Sequence, residues 1–335
     1  MHPAPISVPL ASEASAEGAV SQGGGPLEGF HAELVVEGSM SERLAAPDNA
    51  DLVVFYGGEE KGVLGPCGCP SRPRGGLARQ ASYIAASRGS GVPTLVLNGG
   101  YWLEDAMSLD GTARADVPIL NHWMVKGLER FRPDALNVAY NDMAGITSLG
   151  DVSVDLPMVS ANVDGAGIRP SMVVEKGEYS IGITGITTPG VTFLETPGFV
   201  VTDPVKSGRA VLEALAPKVD LVFLLVYGDP TAAKKLAQMG LVDVVIDTNA
   251  HREYYQPFWQ DDAFWVRSHV QTMRLGELRL VLGEDGLIAA VDRKIDMDAA
   301  IPVDLESEHF VKSAQEEIDA AYEAAFGRKK RTKTP

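Results

Sequence analysis

The chain has 335 residues, 45% of them hydrophobic, and a formal net charge of −16. That apolar content can fill one large core or two modest ones. The acidic balance excludes a broad nucleic-acid-binding face, which needs Lys and Arg against phosphate, and no run nears the roughly 20 apolar residues that span a bilayer.

Residues 1–30 are rich in Ala, Ser, Glu, Gly and Pro and have too little apolar surface to offset the entropy of ordering, so the expectation is a disordered arm. This N-terminus lacks a basic segment followed by an apolar run. It implies a cytoplasmic chain, or a periplasmic or cell-envelope one if a leader is removed upstream. Asp51 to Tyr56 reads as a buried strand running into a glycine-rich loop with Glu59, Lys61 and both cysteines, Cys67 and Cys69. GGLAR then opens a helix over Leu77 to Ser87, and a second buried strand is predicted over Thr94 to Leu97. A helix fits Arg114 to Phe131, where Val117, Leu120, Met124 and Leu128 recur at helical spacing, and Arg132-Pro133 ends it before a strand at Ala135 to Val138.

The middle of the chain predicts strands over Met158 to Val163, Met172 to Glu175 and Tyr179 to Thr184, separated by Gly, Pro and Asp as in a mixed sheet. Asp203-Pro204 opens a helix to Leu215. A very apolar strand follows over Asp220 to Val226, then a helix over Pro230 to Met239 and a strand over Val242 to Ile246. Phe264 to Val270, Leu275 to Leu282 and Leu287 to Asp292 read as three strands joined by turns. A last helix covers Glu306 to Phe326, with Phe310, Ala314, Ile318, Tyr322 and Phe326 on one face. With no internal repeat and no linker, one domain over residues 50–326 is expected, followed by a basic tail over 327–335.

In order and spacing, GGLARQASYI, VPTLVLNGG, DALNVAYND, YSIGITGITTP, VDLVFLLVYG, LVDVVIDTNAH and LGELRLVLGEDG resemble the 5'-nucleotidase and UDP-sugar hydrolase branch of the calcineurin-like metallophosphoesterase superfamily. The PCGC sequence resembles a bacterial group with such a cysteine pair in its first loop. The resemblance implies an α/β fold of four layers, two packed mixed β-sheets flanked by helices. It also implies a site where two metal ions about 4 Å apart activate water and polarise a phosphoryl oxygen.

Carried over position by position, that site is eroded. The family's Asp-x-His falls on Glu59 and Lys61, and its bridging Asp on Tyr101. The Asn-His pair falls on Tyr140 and Asn141, with Asp142 as the following acid, and the His after the apolar strand falls on Tyr227. The last Gly-His-x-His motif leaves Asn249 and His251. Neutral phenols are poor ligands for hard divalent ions, and a protonated Lys61 opposes them. The resemblance therefore implies a degenerate site with no cofactor, and a non-catalytic protein that binds a protein partner within a larger assembly.

Two alternatives remain open. One is a phosphoesterase with a rebuilt site around Glu59, Asp142, Asn249 and His251 that uses Mn, Zn or Mg, in which Asp142 and His251 are the residual catalytic candidates. The other is a redox role for Cys67 and Cys69, as a disulfide or a thiolate pair, against simple packing of two small residues. Lys61 and Glu59 read as an ion pair in the old metal position, and the three tyrosines as fillers of the old cavity or as the lining of a pocket. Tyr254, Tyr255, Phe258 and Trp259 form a candidate aromatic contact patch.

Overall fold

The computed structural model describes residues 28–46, 49–66, 71–107, 113–188, 196–248, 256–269, 271, 273–284 and 286–327. The first half of the chain runs β1 (Phe30–Val36), α1 (Met40–Leu44), β2 (Leu52–Gly57), α2 (Leu77–Arg88), β3 (Thr94–Asn98), α3 (Val117–Phe131), β4 (Ala135–Asn137), α4 (Tyr140–Ser148), β5 (Met158–Val159) and β6 (Val163–Asp164). The second half runs β7 (Met172–Lys176), β8 (Tyr179–Thr187), β9 (Val200–Val201), α5 (Pro204–Leu215), β10 (Leu221–Tyr227), α6 (Thr231–Ala237), β11 (Val244–Thr248), β12 (Phe258–Gln260), β13 (Ala263–Arg267), β14 (Arg274–Gly283), β15 (Gly286–Asp296) and α7 (Leu305–Phe326).

Seven strands form one sheet in the order β1-β15-β14-β2-β3-β4-β5, six form a second in the order β12-β13-β11-β10-β8-β7, and β6 pairs with β9. Both large sheets are mixed. The run β2 to β5 is parallel, as is the run β8, β10, β11, β13, while β14 and β7 add antiparallel neighbours.

The period of two along each strand explains the layering. Leu52, Val54 and Tyr56 of β2 share one buried cluster with Ile181 and Ile183 of β8 and Phe223 and Leu225 of β10, which places it between the sheets. The alternate residues Val53 and Phe55 pack with Tyr83 and Ile84 of α2. On the other sheet, Val222, Leu224 and Val226 pack with Leu212 of α5 and Leu236 of α6. A further cluster joins Met124 and Leu128 of α3 to Met143 of α4 and to Ala314 and Ile318 of α7. Strands covered on both faces read as continuous apolar runs, which is how β2 and β10 stand out in the sequence. The expected α/β sandwich is the observed one.

Several boundaries differ from the sequence expectation. β1 and α1 lie ahead of the first expected strand. β1 is an edge strand with Phe30 and Val35 exposed, so it gives no buried alternation. The strand expected over Met158 to Val163 is broken, because Asn162 leaves the ladder to clamp its neighbours. Its Nδ2 donates to the carbonyls of Thr187 (2.8 Å) and Thr202 (3.1 Å), and its Oδ1 accepts from the Thr187 N–H (2.9 Å). The helix expected from Arg114 begins at Val117, since Arg114 turns to pair with Asp116 at 2.5 Å. β15 runs on to Asp296, through a charged stretch beyond the expected end at Asp292. Of the expected N-terminal arm over 1–30, residues 1–27 lie outside the described residues and Phe30 opens β1; residues 328–335 of the expected tail and the Cys67–Cys69 loop also lie outside them. Among the described residues, no helix is long and apolar enough to cross a membrane.

Candidate functional site

The parallel strands β2, β3 and β4 end side by side, and their C-terminal loops converge, as expected of an α/β site. The first two loops continue as a ladder. Gly99 N–H donates to Gly57 O (2.9 Å), Glu59 N–H to Gly100 O (2.9 Å), Lys61 N–H to Tyr101 O (3.0 Å) and Gly62 N–H to Trp102 O (3.0 Å). Within this ladder Glu59, Lys61 and Tyr101 adopt left-handed φ values of 54°, 52° and 61°, a conformation that costs an L-residue about 1–2 kcal/mol. Glycine is required where the two sheets meet. A Cβ on Gly99 would lie 1.7 Å from Thr248 Oγ1 at the end of β11. Asn137 crosses the same junction, its Nδ2 donating to the carbonyls of Gly99 and Ile186, each at 3.1 Å.

Asp142, in the first turn of α4, braces these loops. Its Oδ2 accepts from the N–H groups of Tyr101 (2.7 Å) and Ala139 (2.9 Å), and its Oδ1 from Leu103 N–H (2.9 Å). The carboxyl is fully buried. Burial pushes its pKa up to about 8 against the pull of those three donors, and the charge of Glu60 adds to the rise. Both oxygens of this residual catalytic candidate are thus spent on backbone.

The side chains above the brace satisfy one another. Tyr101 Oη donates to Asp105 Oδ1 (2.9 Å), Asn141 Nδ2 donates to Asp105 Oδ2 (2.7 Å), and Tyr227 Oη donates to Asn141 Oδ1 (3.2 Å). The rings of Tyr101 and Tyr227 meet edge to face, centroids 5.8 Å apart. Lys61 Nζ lies 4.8 Å from the centroid of Tyr101 and 3.6 Å from Glu59 Oε2, a loose ion pair completed by a cation–π contact. Burial raises both phenol pKa values, helped by Asp105 at Tyr101 and by Glu59 at Tyr227. Both hydroxyls therefore stay protonated and act as donors.

The structure thus brings together Glu59, Lys61, Tyr101, Asn141 and Tyr227, with Asp142 behind them. Tyr140 instead packs against the apolar cluster of α3, α4 and α7. Asn249, His251, Cys67, Cys69, Tyr254 and Tyr255 lie outside the described residues. In the aromatic run, Trp259 is 45% exposed with its ring 4.6 Å from that of Phe30, and Phe258 stacks on Trp265 at 5.5 Å. Sequence reasoning missed Asp105, the acceptor at the centre of the network, and Glu60, which is only 3% exposed.

As a donor set for two divalent ions, the described residues fit poorly. Lys61 brings an ammonium, Tyr101 and Tyr227 bring neutral phenols, and both oxygens of Asp142 are engaged. Glu59, whose Oε2 has no hydrogen-bond partner among the described residues, is therefore the one open carboxylate at these positions, short of the several oxygen and imidazole ligands that two such ions take. Among the described residues, no group of three or more His, Cys, Asp or Glu is placed to hold a metal ion.

By sequence, no family model and no curated protein matches the chain. By structure, it is similar to a 5'-nucleotidase precursor from Thermus thermophilus, with a TM-score of 0.67 and 19% identity over 80% of this chain and 59% of that one. It is also similar to the Haemophilus influenzae NAD nucleotidase, with a TM-score of 0.66 and 13% identity over 80% of this chain and 60% of that one. A third likeness is to the calcineurin-like phosphoesterase YfkN from Bacillus subtilis, with a TM-score of 0.60 and 15% identity over 82% of this chain and 99% of that one. The fold is that of the calcineurin-like phosphoesterases and 5'-nucleotidases. The chain spans about three fifths of the length of the two nucleotidases.

Proposed function

We propose that this chain is a non-catalytic protein on a phosphoesterase fold, a binding or structural component of a larger assembly, whose dinuclear metal site is degenerate. The supporting observation is the chain of hydrogen bonds from Tyr101 through Asp105 and Asn141 to Tyr227. By resemblance, Tyr101, Asn141 and Tyr227 stand where metal ligands would, and here they are partners of one another. In this reading Lys61 supplies beside Glu59 the positive charge an ion would bring. The two rings fill volume that would otherwise cost stability as a cavity. The aromatic surface of Phe258 and Trp259, with Tyr254 and Tyr255 close in sequence, is the proposed contact for a protein partner.

Metal analysis of the purified chain, paired with a phosphatase assay on nucleotides and a generic phosphate ester in Mn²⁺, Co²⁺ or Zn²⁺, tests this reading. The expected outcome is substoichiometric metal and no turnover above buffer. Turnover abolished by Glu59→Ala or His251→Ala would sink it and establish the rebuilt-hydrolase alternative.

A further inference from the structure

The loop after β2 covers a chamber of about 20 Å³ whose walls come from β2, β3, α2, α3 and β14. Phe55, Val96, Leu128 and Phe131 make it largely apolar, and three polar residues also line it: Glu60, Asn98 and Gln80. Glu60 and Gln80 are each 3% exposed. One atom of each, Glu60 Oε2 and Gln80 Nε2, is buried with no hydrogen-bond partner among the described residues. Buried polar atoms are nearly always satisfied, and these two have opposite needs: the amide nitrogen can only donate, whereas the carboxyl oxygen accepts. Space and chemistry together are selective. A volume of this size has room for a water. A cation in the same place would face the Gln80 N–H.

We propose that the chamber is a binding site for a single water molecule, which accepts a hydrogen bond from Gln80 Nε2 and donates one to Glu60 Oε2. This water ties α2 to the loop carrying Glu59 and Lys61, and so acts as a positioning element for the candidate site. The proposal stands apart from the functional reading above, since it holds whether or not that site takes a metal.

A high-resolution crystal structure of the full chain tests the site directly. The expected result is one density peak within about 2.6–3.2 Å of both atoms. A chamber without such a peak, or a direct bond between Glu60 and Gln80, would overturn it. The positioning role is read by amide hydrogen exchange in Gln80→Leu and in the longer Gln80→Met. Either variant should speed exchange at the Lys61 and Gly62 amides on the order of tenfold while leaving β10 unchanged. Unaltered exchange at those two amides in a folded variant would refute that role.

Discussion

Replacing Glu60 by Gln isolates the electrostatic consequence of burying a carboxyl beside the site. Burial raises the pKa of Glu60 from 4.5 to about 7, opposed mainly by the Asn98 side chain and reinforced by the charge of Glu59. A folded-state pKa above the unfolded one means that the folded protein binds this proton more tightly. The stabilisation is fully present below about pH 4.5 and is lost as pH rises towards 7. At 1.36 kcal/mol per pKa unit, the stability lost between about pH 5 and pH 7 is roughly 2 kcal/mol. Gln carries no proton to lose, so Glu60→Gln should be flatter with pH. Its stability relative to wild type should improve by roughly 2 kcal/mol across that interval, read as midpoint shifts in urea unfolding at each pH. Asp142 shifts in the same direction and is coupled to Glu60 by charge, so a lower Asp142 pKa in the variant adds to this gain. Parallel pH profiles for the two proteins would refute the assignment of a near-neutral pKa to Glu60.

Two further perturbations probe the scaffold. Lys294, 1% exposed between the sheets, contacts Asp292 Oδ2 at 2.6 Å and Oδ1 at 2.8 Å and also bonds the Tyr56 hydroxyl. Lys294→Met should cost about 3–5 kcal/mol because it strands the Asp292 carboxylate, whereas Lys294→Met with Asp292→Leu should recover most of that. Equal losses in the single and double variants, measured by urea unfolding, would contradict the pairing. Asp142→Asn should cost about 1–3 kcal/mol, since an amide NH₂ would face backbone N–H groups where an oxygen now accepts them. Exchange at the Tyr101 and Leu103 amides should accelerate, and unchanged protection there would show that the brace is dispensable.

How far the sequence reveals this molecule depends on whether the relevant signal is periodic. β2 and β10 are buried on both faces, and their apolar runs are plain in the sequence. Glu59, Lys61, Tyr101, Asn141 and Tyr227 could be placed only through the family resemblance, whose motifs stand at the ends of recognisable strands. Asp105 could not: it sits in an aperiodic loop, and it meets Asn141 only because α4 docks against that loop. Glu60 lies in a Glu-Glu-Lys run that looks solvated, and its burial follows from the ladder between the two loops. β15 shows a different failure: the expected strand stops at Asp292, and the observed one continues through the charged stretch Asp292-Arg293-Lys294 to Asp296. Its alternation instead sends Arg293 to one face, where it meets Glu277 at 2.7 Å, and Asp292 and Lys294 to the other, where they pair. Residues two apart on a strand share a face, so an Asp-x-Lys spacing already supplies a neutralising partner inside a sheet covered on both sides. In such a sheet a charged strand residue marks the end of the strand only if no opposite charge stands two positions away or across the ladder.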